Sequence, residues 1–135
     1  MSNNAYILRV RLSWAKGVWR EIAILGDHTL ADLHRAILDA YEWSHDDTYC
    51  FCLSDDLADK GAFIAPPDHD PGGILLEDLN LEEDQVFIYI FGEGERNRFI
   101  IKVMSIEDEE SGTDYPDVVD EKGESPDQEL AYLSD

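Results

Sequence analysis

Basic residues are scarce in this chain. Its 135 residues hold 10 Lys plus Arg against 31 Asp plus Glu, a formal net charge of −21. A field of that sign repels phosphate backbones, so direct binding to DNA or RNA is disfavoured. Cysteine is scarcer still, with Cys50 and Cys52 alone. At i and i+2 on a strand their Cα atoms would stand roughly 6.5–7 Å apart, near or beyond the disulfide limit. Free thiols are therefore expected, which suits a reducing compartment and a cytoplasmic location. No run of about 18 apolar residues occurs, so no membrane span is expected. Residues 1–11 also lack the long apolar stretch of a signal peptide.

What is present suits one domain. The length is ordinary for a single core, and 44% of the residues are hydrophobic. Residues 6–12 alternate with period two, placing Leu8, Val10 and Leu12 on one face and Arg9 and Arg11 on the other. Residues 18–25 read as a second strand, paired to the first as a hairpin. Thr29 offers an N-cap, with Asp32 three residues on, and Leu30, Leu33, Ile37 and Tyr41 form an apolar stripe at helical spacing. Residues 48–53 make a third strand. Residues 54–73 read as a loop with a short strand near 62–65, and residues 75–79 as a helical turn or bridge. Strands at 86–91 and 98–106 close the domain. The expected fold is α+β: a mixed, mostly antiparallel sheet in ββαβ…ββ order, with one helix on one face, β-grasp-like. The expected domain covers residues 1–106. Residues 107–135 carry 12 acids and one base, Lys122, and form an acidic C-terminal segment, partly ordered or docked on the domain.

Motifs that would carry chemistry are weak. His28, His34, His45 and His69, with the two cysteines, supply zinc-ligand types, but no Cys-x-x-Cys or His-x-x-x-His spacing occurs. Gly92-Glu93-Gly94 follows a strand yet has no third glycine and no helix to present amides to a phosphate. The carboxylate pairs, among them Asp46–Asp47 and Asp55–Asp56, read as solvated surface. Asp68-His69-Asp70 lacks the closing Glu of a calcium loop. No Gly-x-Ser-x-Gly elbow occurs. No metal and no cofactor is therefore expected, and the balance of motifs leans against an enzyme without deciding it. Trp19 and Trp43 are expected to close the two ends of the core, leaving Trp14 in the hairpin turn as an exposed binding anchor.

Seven of the ten bases fall on strands or their turns: Arg9, Arg11, Lys16, Arg20, Arg96, Arg98 and Lys102. A basic sheet face crossed by the acidic tail, with Tyr115 and Tyr132 as further anchors, is the expected arrangement. Trp14, Arg9, Arg11, Arg20, Arg96 and Arg98 are accordingly the candidate binding residues.

Residues 6–12, Val18-Trp19-Arg20-Glu21-Ile22, residues 29–37, Trp43, Tyr49 and Phe51 resemble the Ri-plasmid open-reading-frame-three-like family, which includes passenger proteins of insertion elements. Phe87-Ile88-Tyr89-Ile90-Phe91-Gly92-Glu93 is similar to that family's Tyr-Asp-Phe-Gly-Asp strand and turn. Tyr115-Pro116, Gly123, Pro126 and Tyr132 are similar to its closing segment. The chain departs at Ile90, where the family has Asp, at Glu95 for Trp, at Asn97 for His and at Asp47 for His. The closing Pro-Pro-Glu-Asp is reduced to Ser125-Pro126-Asp127. A polar site of the family around those positions would be largely lost here. The resemblance implies an α+β fold, a partly ordered tail and no established reaction. The expected function is a non-catalytic protein-interaction or accessory domain of mobile-element (plasmid or transposon) lineage, with a basic protein partner. The alternative is a metal-dependent or Asp/His hydrolase built around residues 45–47 and 68–70.

Overall fold

The computed structural model describes residues 4–13, 15, 17–43, 49–54, 63–64, 71–91, 98–110 and 112–124. Seven strands form one sheet: β1 (Asn4–Leu12), β2 (Trp19–Leu25), β3 (Tyr49–Cys52), β4 (Phe63–Ile64), β5 (Val86–Phe91), β6 (Arg98–Asp108) and β7 (Asp117–Lys122). The helix α1 (Leu30–Ala40) follows β2. The strand order is β4-β3-β5-β6-β1-β2-β7. The α+β class and the single helix stand as expected. The parallel element of a mixed, β-grasp-like sheet does not: every described pairing is antiparallel. The reason is that β1 is an interior strand that runs opposite to both neighbours, β2 and β6, so two hairpins lie side by side.

The helix begins where the sequence places it. The Thr29 hydroxyl accepts from the Asp32 amide at 3.1 Å and the Asp32 carboxylate accepts from the Thr29 amide at 2.9 Å, a complete capping box. A second segment braces the same turn. Leu30 N donates to Ile74 O, Leu76 N to His28 O and Glu77 N to Gly26 O, all at 2.9–3.0 Å. The expected turn or bridge at 75–79 is both, with Leu75 bridging Thr29 and a 3-10 turn at Leu76–Leu79.

Leu30, Leu33, Ile37 and Tyr41 are all buried against the sheet. Their partners are the alternate residues Leu8, Val10 and Leu12 of β1, Phe87, Tyr89 and Phe91 of β5, and Phe99, Ile101 and Val103 of β6. Full burial of a side chain of this size contributes about 1.5–3 kcal/mol before entropy is counted. Aromatic rings join the layers: Tyr41 meets Phe99 at 5.2 Å, Trp43 meets Phe99 at 5.5 Å, and His34 stacks on Tyr49 at 3.7 Å. Tyr41 donates its hydroxyl to Val10 O at 2.8 Å, and the buried His34 shares a short hydrogen bond with Tyr89. Trp43 closes the core as expected. Trp19 does not, because β2 is in the phase that turns Arg20, Ile22 and Ile24 toward the helix. Trp19 lies on the far face under the Arg9 guanidinium, 4.1 Å from the ring centre. Trp14 lies outside the described residues.

Two outcomes follow from these contacts. Thr29→Ala removes the capping hydroxyl and should lower unfolding free energy by about 1 kcal/mol in urea denaturation, with Thr29→Ser close to the parent. Burial pushes the phenols of Tyr41 and Tyr89 well above their ordinary 10.0, against the Arg20 charge beside Tyr41 and with Tyr49 adding to the rise at Tyr89. A raised folded value means stability present below pH 10.0 and lost as the pH climbs above it, because the unfolded chain then ionises first. Ultraviolet titration should show these two of the six tyrosines resisting ionisation until the sheet opens; normal titration of all six in folded protein would contradict this.

Candidate functional site: the groove between helix and edge strand

The acidic C-terminal residues enter the sheet. β6 continues past Ile106 to Asp108, and β7 then pairs antiparallel with β2, from Trp19 opposite Lys122 to Ala23 opposite Asp117. A register shift at Glu21/Ile22 leaves Val119 as the extra residue. Tyr115 accepts the Glu110 amide at 3.1 Å just before this strand. Gly123 ends it with φ +76, and a Cβ there would stand 2.8 Å from Gly17 O and 2.9 Å from Val18 Cγ2. Only glycine lets the end of β7 lie that close to the β1–β2 turn.

Arg20 fastens the strand. Expected on a basic face with Arg9 and Arg11, it instead points to the helix side, in phase with Ile22, and is 5% exposed. Its Nη1 donates to Trp19 O at 2.9 Å and to Lys122 O at 3.1 Å, and its Nε donates to Ala40 O at 3.4 Å. Glu121 supplies a carboxylate at 3.4 Å, and the Tyr41 ring lies 5.2 Å below the guanidinium. One planar cation thus links the end of α1, strand β2 and strand β7.

The helix does not reach across this flank. His34 lies over β3 and β5, and Tyr41 over β6 and β1. Between α1 and β7 remains a groove of 360 Å³. Ile22, Ala36, Ala40, Pro116 and Val118 supply its apolar lining, and Asp32, Asp39 and Asp117 its acids, with Arg35 among them. Asp32 is tied to Arg35 by a short ion pair at 2.5 Å. A second recess of 710 Å³ shares Asp39, Ala40 and Val118 and adds Arg20, Glu42, Glu121, Gly123 and Glu124. Val118 and Val119 are 41% and 49% exposed. The arrangement suits contact with an apolar surface carrying positive charge.

The other sequence candidates lie elsewhere. Arg9, Arg11 and Arg98 sit on the face turned away from the helix, with Arg9 paired to Glu21 at 2.6 Å and Arg11 exposed. Arg96 lies outside the described residues, as do Tyr132 and the hydrolase candidates at 45–47 and 68–70. Among the described residues no group of three or more His, Cys, Asp or Glu side chains could hold a metal. Cys50 and Cys52 are free thiols, and burial, then Cys52 itself, pushes the Cys50 thiol up, away from nucleophilic use. No helix among the described residues is long and apolar enough to cross a membrane. Asp39 and Asp117 escaped the sequence reading, as did the part of Val118 in a groove wall. The signals were Asp32, Arg35, Ala36 and Asp39 at helical spacing opposite the core stripe, and Val118-Val119 inside an acidic run.

The fold and groove define a small α+β domain with a one-layer antiparallel sheet, a single helix and an acidic flank. The family model for plasmid pRiA4b ORF-3-like proteins matches residues 4–133, and the chain belongs to that family. A protein of unknown function from Methanosarcina mazei Go1, MM3350, has a crystal structure similar to this chain, with a TM-score of 0.77 at 19% identity. The match covers 93% of this chain and 73% of that one. That likeness extends to the fold. A comparison with curated proteins finds no match.

Arg20→Met should cost about 2 kcal/mol of stability, the scale of hydrogen bonds to a charged donor. It should also speed amide exchange at residues 117–122 far more than in β1 or β6. Unchanged exchange in β7 would show that the strand is held by other contacts.

Proposed function

We propose that this protein is a non-catalytic interaction domain of the cell interior, of mobile-element lineage, that binds a basic protein through the flank formed by α1 and β7. The observation carrying this reading is the groove itself: an apolar floor bounded by Asp39, Glu42, Asp117, Glu121 and Glu124. Desolvating apolar surface supplies affinity, while the surrounding carboxylates select a cationic partner and speed its approach. The overall charge of −21 reinforces that choice and works against direct contact with nucleic acid. The free thiols agree with a reducing compartment. Family membership is consistent with the lineage.

The test is fluorescence anisotropy with labelled lysine-rich peptides at low and high salt. Binding should weaken as salt rises, and Asp117→Lys with Glu124→Lys should weaken it by about tenfold or more, near 1.4 kcal/mol. Failure of every cationic peptide to bind at low salt would reject the reading.

A further inference from the structure

We propose that the partner's basic segment binds in extended form, adding an eighth strand to the outer edge of β7. This rests on the reading of the flank as a site for a basic protein, and it specifies what that protein must present. β7 is last in the strand order, so its outer edge pairs with none of the described strands. All six of its residues are exposed. Its backbone donors and acceptors on that side form a template for a further strand.

Natural edges are usually guarded by proline, by lysine or by a cover. Residues 117–122 contain no proline and a single lysine, Lys122. The bulge at Val119 bends the strand but leaves it paired to β2 on either side. What guards this edge is negative charge, and that guard is selective. A second copy would bring another Asp117, Asp120 and Glu121 to the same edge, three further carboxylates against a single Lys122, and like charge gathered across strands is destabilising. The chain's own residues 125–135 carry three further acids and no base, so their sequence offers no cationic strand. A cationic strand meets no such cost.

The register gives the pattern of the occupant. In β7, Val118 is opposite Ile22 and faces the helix side, while Asp117 and Asp120 are opposite Ala23 and Glu21 and face the other side. A strand with period-two alternation would turn apolar side chains toward Val118, Pro116 and the groove floor. Its intervening Lys or Arg side chains would face Asp117 and Asp120. A helix could use the groove but would leave the β7 backbone edge unsatisfied.

The experiment compares three synthetic peptides on the full chain: alternating Lys-Val, the same sequence with alternate backbone amides N-methylated, and a helix-forming Lys-Leu peptide of equal charge. Affinity is read by anisotropy, and amide exchange at residues 117–122 by NMR. The alternating peptide should bind at least about tenfold tighter than its N-methylated form, the effect of losing main-chain hydrogen bonds. It should also slow exchange in β7 selectively. Equal binding by the N-methylated form, unchanged β7 exchange, or preference for the helical peptide would each overturn strand addition while leaving a basic partner in place. Silence from all three peptides would instead reject the basic-partner reading on which strand addition rests. Self-association through β7, seen by sedimentation, would overturn it as well.

Discussion

The Arg20 guanidinium is the joint on which the flank formed by α1 and β7 depends. It reaches Ala40 O at the end of α1, Trp19 O on its own strand and Lys122 O on β7, and it lies over the Tyr41 ring. A cation at 5% exposure is tolerable because those carbonyls, the Glu121 carboxylate and the ring replace the water it gives up. Tyr41 is fixed in turn by its hydroxyl on Val10 O, so a run of hydrogen bonds and one cation–ring contact leads from β7 through the helix end into β1. Arg20 thereby sets the spacing between α1 and β7, and so the width of the groove. A smaller residue would let the strand and helix collapse together or separate.

Much of the fold was legible in the residues because local and tertiary signals agree there. Thr29 and Asp32 form the capping box that their spacing demands, and Leu30, Leu33, Ile37 and Tyr41 are buried as their stripe requires. The period-two pattern of Leu8, Val10 and Leu12 fixes which face of β1 is inside. The second strand is different. Its apolar residues occur in both phases, with Trp19, Ala23 and Leu25 in one and Ile22 and Ile24 in the other. Size argues for Trp19 inside, but pairing with β1 locks the opposite phase and carries Arg20 inward. Phase in such a strand is decided by its neighbour, and no local pattern contains that information.

The edge strand was illegible for a related reason. Asp117-Val118-Val119-Asp120-Glu121-Lys122 has no clean alternation, because a bulge interrupts it, and none of its residues is buried. Composition alone assigns such a stretch to disorder. What orders it is contact with residues about a hundred positions earlier, namely the β2 backbone, the Arg20 fork and the Gly17 turn that Gly123 approaches. The groove inherits this illegibility, since one of its walls is β7.

The distribution of charge across the sheet explains why the acidic excess collects on one flank. On the face turned away from the helix, one cross-strand row runs Asp120, Glu21, Arg9, Lys102. Arg9 and Lys102 stand opposite each other, a repulsive pair in isolation. Glu21 bonds Arg9 and Asp84 approaches Lys102 at 3.9 Å, so both cations are answered from the sides. That face therefore carries these bases already answered, and its acidic excess gathers at the β7 edge, at Asp117 and Asp120. On the helix side the acids around the groove have Arg20 and Arg35 for company, and Arg20 is buried while Arg35 is paired to Asp32. The carboxylates of Glu124 and Glu42 are left to solvent. The proposed basic partner would be the electrostatic complement of a β7 built from acidic residues.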